Sequence, residues 1–174
     1  MKQLAIVLCG LFLVFSVGAA APSTIFDGGK VIYELPYPGI TPENPLYIFK
    51  QLRDQIKEFL IRDSLEKANF LLVSSDKRAH IALILMQKGK TRQAVEVLAD
   101  AEQKALRIPS LMTDSKKQGA AASESFIYSL KLSNAKHREI IQDLVKLIPQ
   151  GQDAQVLSDI LILNQRDASE LEHL

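Results

Sequence analysis

The sequence predicts an all-helical protein, a bundle of four to five helices preceded by a proline-rich extended arm. Three observations carry this. Apolar residues recur at steps of three and four through successive stretches between Leu46 and Glu172, the spacing of helices with one buried face. No stretch alternates apolar and polar residues for the useful length of a strand. Four of the seven prolines fall between Pro36 and Pro45, directly before the first periodic stretch, where they exclude helix and favour extended backbone.

Taken in order, residues 1–20 read as a signal peptide, 21–44 as a linker and proline-rich arm, and 45–174 as the bundle. The linker "PSTIFDGGKVIYE" has a flexible joint at Gly28–Gly29 and a short extended piece around Val31–Tyr33. In "LPYPG", Pro36 and Pro38 fix φ and stiffen a polyproline-like lead-in that turns at Gly39. Asn44 reads as an N-cap with Pro45 at the first helical position. Tyr37, Ile40 and Tyr47 are expected to fold back as a lid over one end of the bundle. Pro36, Tyr37, Pro38, Gly39, Pro45 and Tyr47 are thus assigned to structure.

Leu46, Phe49, Leu52, Ile56, Phe59 and Leu60 form the stripe of the first helix, which should end near Arg62. "DSLE" supplies a capping box, Asp63 as cap and Glu66 three residues on. The second helix carries Leu65, Ala68, Leu72, Ser75, Ala79, Ala82 and Met86 on one stripe, and Gly89 stops it. Thr91 is expected to cap a third helix that buries Ala94, Leu98, Ala101 and Ala105 and ends at Pro109. Small residues on both stripes would let these two helices approach closely. Residues 109–123 read as a polar, alanine-rich, mobile connection with room for partial helix. A long helix then runs to about Ile148, where Pro149 and Gly151 break it, and a last helix spans about Ala154 to Glu172.

Composition narrows the function. Twenty-one basic against twenty acidic residues leave a net charge of +1, with no electrostatic footprint for nucleic acid. Lys2 followed by an uncharged run from Leu4 to Ala21, small at its end, describes a secretory signal peptide, cut after Ala19 or Ala20. The competing reading is an uncleaved anchor, since eighteen apolar residues lie at the lower limit for crossing a bilayer. In either case the remainder faces outward: secreted, periplasmic or at the outer face of the membrane. Cys9, the only cysteine, lies within the apolar run. Its removal leaves no disulfide, thiolate metal site or cysteine nucleophile.

Candidate chemistry is sparse. Ile127, Leu130, Asn134, His137, Ile141, Leu144 and Ile148 share one helical stripe, so Asn134 and His137 point toward the core. A buried His one turn from an Asn suits metal ligation or pH sensing, yet a zinc site needs three or four convergent ligands. A polar pair fixing helix register is the favoured alternative. Glu170 and His173 have the E-x-x-H spacing of di-iron bundles, but one copy in a tail is outweighed by solvated residues. Lys50, Arg53 and Lys57 make a basic edge on the first helix that would suit anionic headgroups. Asp54 and Glu58 interrupt it, and Lys50–Asp54 has i,i+4 spacing, which favours a solvated face. "LMQKGKTRQAVEVLADAEQKAL" is similar to one tetratricopeptide unit without a second copy. No nucleophile elbow, phosphate loop or zincin motif occurs. No enzyme activity, cofactor or metal is therefore expected.

Residues 35–72, "LPYPGITPENPLYIFKQLRDQIKEFLIRDSLEKANFLL", resemble an exported all-helical family, domain-of-unknown-function family 5667. Its rough pattern of L-P-Y-P-G, then P-x-x-P-L-Y, a basic residue, an R-D or R-I pair and an acidic cap on the second helix is met by Leu35 to Gly39, Pro42, Pro45, Leu46, Tyr47, Lys50, Arg53–Asp54 and Asp63. Residues 133–161 resemble the family's C-terminal helical hairpin, although the last helix is more apolar than the family pattern. The similarity spans about residues 33–172. It implies an exported helical domain and brings no activity, cofactor or catalytic residue. The expectation is a structural or adaptor module at the outer face of the membrane with another envelope protein as partner. Its membrane contact would be through the N-terminal segment alone, and only if that segment stays uncleaved. The alternative is a small-ligand or metal sensor using Asn134 and His137.

Overall fold

Two long helices with small residues on their facing stripes organise the interior. The computed structural model describes residues 30–174 and the backbone of Phe26 and Asp27; the signal segment, Cys9 and Gly28–Gly29 lie outside the described residues. The described chain opens with a two-residue antiparallel pair, β1 (Phe26–Asp27) and β2 (Lys30–Val31), with Phe26 opposite Val31. Residues 32–46 then run without regular helix or strand. Six helices follow: α1 (Tyr47–Leu60), α2 (Ser64–Gln87), α3 (Thr91–Ala105), α4 (Ile108–Lys117), α5 (Glu124–Leu147) and α6 (Gln152–Leu171). The fold is the expected all-α bundle, with one short helix more.

Local chemistry sets the boundaries. Asp63 accepts the Glu66 backbone N–H at 2.7 Å and starts α2. Gly89, at φ +72, takes the left-handed conformation that ends it, and the Lys90 N–H reaches back to the Leu85 carbonyl at 2.8 Å. Thr91 does not cap α3 as expected; it is the first helical residue, and Lys90 precedes it without a side-chain cap. Residues 109–123 are not merely a connection. Pro109 sits in the first turn of α4, where a fixed φ and a missing N–H cost nothing. Ser123 caps α5 by accepting the Phe126 N–H. Asn44 bonds the Leu46 N–H, but regular helix begins only at Tyr47, two residues later than the Asn44–Pro45 signal suggests.

The main core gathers Ala79, Ala82 and Leu85 of α2, Ala94, Leu98 and Ala101 of α3, Ile141 and Leu144 of α5, and Leu157 and Ile160 of α6. Alanines at the α2–α3 contact bring those helices together and let longer side chains of α5 and α6 fill the remainder. A second cluster joins Leu71 and Leu72 of α2 to Ile108 and Met112 of α4, Leu130 of α5 and Leu171 of α6. Thus α4 closes one end of the bundle.

Of the three residues expected as a lid, Tyr47 is half-buried against the main core, and the other two are not. Tyr37 is 82% exposed and Ile40 is also exposed, whereas Leu35 and Pro38 are buried. Helix α1 differs more: it contributes no buried residue at all. Its stripe of Leu46, Phe49, Leu52, Ile56, Phe59 and Leu60 is exposed throughout.

Stability should divide accordingly. Leu98→Ala, at a fully buried position, should cost about 2–5 kcal/mol, while Leu52→Ala on α1 should change stability by less than about 0.5 kcal/mol. Urea denaturation of the two variants measures both; an equal cost would place the α1 stripe inside the bundle.

Candidate functional site

Two polar clusters of the described chain bear on function, one sealed in the core and one along α1. The first is centred on His137, which is 1% exposed. Its Nδ1 lies 2.6 Å from Glu102 Oε1 on α3, and its Nε2 lies 3.1 Å from Asp76 Oδ1 on α2. Asp76 also accepts from the Tyr33 hydroxyl at 2.6 Å and the Ser133 hydroxyl at 2.5 Å. The other Glu102 oxygen accepts from Asn164 of α6 at 3.0 Å.

Asn134 and Asn164 exchange bonds across the α5–α6 contact. Each side-chain amide donates to the other's backbone carbonyl, at 3.0 and 3.1 Å. Asn134 also donates to Asp167 Oδ2 at 3.0 Å, and Arg138 spans the pair by donating to both amide oxygens. One connected network therefore ties the arm to α2, α3, α5 and α6.

Electrostatics fixes the protonation of the centre. Burial alone would lower the His137 pKa, but the charge of Glu102 and the hydrogen bonds of Asp76 and Glu102 outweigh it and raise the value to about 10. His137 is thus an imidazolium that gives both N–H groups to carboxylates, leaving no lone pair for a metal. Asp167 behaves oppositely. Burial pushes its carboxyl up to about 6, against the lowering bond from Asn134, and its Oδ1 is buried with no hydrogen-bond partner. The Tyr33 hydroxyl is also held well above its ordinary range by burial and by Asp76. Among the described residues no group of three His, Cys, Asp or Glu side chains could hold a metal ion.

The second place is the contact of α1 with the bundle, and it is polar. Glu58 accepts from Arg107 at 2.5 Å and from Lys104 of α3 at 3.3 Å. Burial would raise its pKa, but these two cations hold it below the usual value. Lys50 donates to the carbonyls of Pro38 and Ile40 at 2.7 and 3.2 Å, which fastens the arm to the helix. Half-buried Tyr47, Gln51 and Asp54 share that inner side. At 100° per residue the inner side is opposite Leu52, Ile56, Phe49 and Leu60. The helix therefore turns its polar face inward and its apolar face out.

The family model described as "Domain of unknown function (DUF5667)" matches residues 39–151, well over half of the chain. The chain belongs to the DUF5667 family. No curated protein and no solved structure matches it. The DUF5667 match begins at Gly39, after Leu35–Pro38, and ends at Gly151, before α6.

Within this DUF5667 chain, Asn134 and His137 both lie in the core, bonded to different partners. His80 is elsewhere, with its Nδ1 3.0 Å from the Pro36 carbonyl. Gly39 turns at φ +70 and Pro45 is exposed. The expected Lys50–Asp54 pair does not form; Arg53 binds Asp54 at 2.7 Å instead. Glu170 pairs with Arg166, and His173 is exposed.

Sequence reasoning missed Asp76, Glu102, Asn164 and Asp167. A signal existed, because each interrupts an apolar stripe at helical spacing. Asp76 is four residues past Leu72 and three before Ala79; Glu102 is four past Leu98 and three before Ala105.

A raised folded-state pKa stabilises at low pH and is lost on raising it. The His137 contribution is complete below its ordinary 6.5 and disappears as pH climbs through about 10. For Asp167 it is present below 3.8 and lost as pH rises through about 6. The urea midpoint should fall between pH 6.5 and 10 in the native chain, with that slope absent from His137→Gln. The substitution should also cost about 3–5 kcal/mol near neutral pH, because it strips the buried carboxylates of their cation. A native-like slope in His137→Gln would mean that another group titrates.

Proposed function

We propose that this chain is an exported, non-catalytic helical module that works by binding, as a structural or adaptor component at the outer face of the cell membrane. The observation that carries the reading is the orientation of α1. A helix held to its bundle by Glu58, Lys104 and Arg107, with Phe49, Ile56 and Phe59 turned to solvent, leaves an apolar surface whose burial against a partner is favourable.

Two further features support the proposal. The Leu4–Ala21 run behind Lys2 is the feature that supports export. The non-catalytic reading is supported by the closure of the polar centre: Asp76, Glu102, His137 and Asn164 are each no more than 2% exposed, and His137 has both nitrogens engaged. The network stabilises the relative placement of helices and offers no approach to a substrate.

A photo-crosslinking amino acid in place of Phe59, in the full chain in living cells, tests the reading. The expected outcome is a discrete adduct in the envelope fraction, with none from the same probe in place of Arg166 on α6. Equal adducts at both positions, or recovery of the protein only from the cytoplasm, would overturn it.

A further inference from the structure

We infer that the surface covering the apolar face of α1 is an anionic lipid surface, so that the helix lies in the membrane interface; this rests on the reading of α1 as the contact element. The sequence alone argues against lipid, because Asp54 and Glu58 interrupt the basic edge. The structure removes that objection. The Asp54 and Glu58 side chains are only 19% and 14% exposed and are turned to the bundle, where Glu58 is taken by Lys104 and Arg107 and Asp54 by Arg53. What α1 presents outward is a set of apolar side chains, uncharged Gln55 on one edge, and cations on the other.

The cationic edge is ordered. At 100° per residue, Ile48, Phe59, Leu52, Ile56, Phe49 and Leu60 fall within an arc of roughly 120°, and Arg53, Lys57 and Lys50 follow next to it. The Arg53 side chain is 72% exposed, Lys57 is exposed with its Nζ 5.4 Å from the Phe70 ring, and Lys77 of α2 lines the same side. The apolar surface also continues onto the arm. Tyr37 and Ile40 line one shallow depression with Leu46 and Phe49, and Lys50, Arg53 and Lys77 form its margin. Asp63 and Glu66 stand at the far end, beyond Leu60, where Asp63 is occupied as the cap of α2.

Each part has a role at an interface. An amphipathic helix rich in Phe, Ile and Leu sinks its apolar face to the boundary of headgroups and acyl chains, while Lys and Arg beside it meet lipid phosphates. A tyrosine at the margin is apolar in body and polar at its tip, suiting headgroup depth. A second copy of the chain is the other candidate, and the charges disfavour it. An antiparallel two-fold pairing of α1 with itself sets the cationic edges against each other, and a parallel one sets them against the Gln55 edge. In neither arrangement does a carboxylate of the second copy's α1 answer Lys57, and Arg53 keeps only its own Asp54.

The test uses the full chain with Cys9→Ser and a single Phe59→Cys carrying an environment-sensitive fluorophore, and a matching Arg166→Cys control on α6. Phosphatidylcholine vesicles with and without phosphatidylglycerol are the probes. Because the readout is local, association through the N-terminal apolar run does not register at position 59. A blue shift is expected at 59 and not at 166, dependent on phosphatidylglycerol. Arg53→Gln with Lys57→Gln should weaken it about 25-fold, at about fivefold per cation near an anionic surface. Since α1 has no buried residue, these variants should melt with the parent, which circular dichroism verifies.

An equal shift in neutral vesicles, indifferent to the two cations, would overturn the anionic lipid. A shift that needs no lipid and grows with protein concentration would establish a second copy instead, sinking the inference while leaving the binding role of α1 intact. No shift under any condition would also sink the lipid inference. The in-cell crosslink from position 59 then stands or falls separately, which tells the two failures apart.

Discussion

The bundle depends on the buried cation at its centre, His137. An imidazolium in the interior is tolerated only where opposite charge and hydrogen bonds surround it, and His137 obtains these from Glu102 on one side and Asp76 on the other. The ring is planar and its two nitrogens point in fixed directions. Three helices must therefore be in register at once. A slide of α2 or α3 by one turn, about 5.4 Å, would leave a charge unpaired in the core. Apolar packing alone gives no such signal, because alanine stripes such as those of α2 and α3 fit nearly as well one turn displaced. Asn134 and Asn164 extend the same constraint to α6 through paired bonds to each other's backbone.

The ion pairs that hold α1 operate under different physics. Glu58 with Lys104 and Arg107 lies at the edge of the bundle, with Arg107 half exposed to water. Pairs in that setting contribute little each and are screened by salt. The chain thus has a rigid body whose polar groups are sealed and a peripheral helix whose polar groups serve as its attachment. The apolar surface that would ordinarily hold such a helix in place is directed away.

Much of this architecture is legible in the sequence. Periodicity and capping residues locate α2, α5 and α6 to within a few residues, and Asp63, Gly89 and Gly151 act where their chemistry says they should. The stripe carrying Asn134 and His137 is read correctly as inward-facing. Helix α4 is read only as a partly helical connection because Pro109 reads as a stop, although it suits a first turn equally well. The partners of His137 are missed for a different reason. Asp76 and Glu102 belong to helices whose mutual placement no local pattern encodes. The orientation of α1 is hidden most deeply, since an amphipathic stripe is identical whether it faces a core or the solvent. Only its neighbours decide, here Lys104 and Arg107 drawing Glu58 inward.

The boundary of the family match gains meaning from the Asn134–Asn164 exchange. The match ends at Gly151, yet Glu102 and Asn134 find partners on Asn164 and Asp167, beyond that point. Leu157 and Ile160 supply part of the main apolar cluster from the same helix. A fragment cut at the family boundary would expose Ile141 and Leu144 and leave Glu102 short of a donor. For this chain the buried polar centre and the main apolar cluster are both completed by α6, which lies beyond the matched residues.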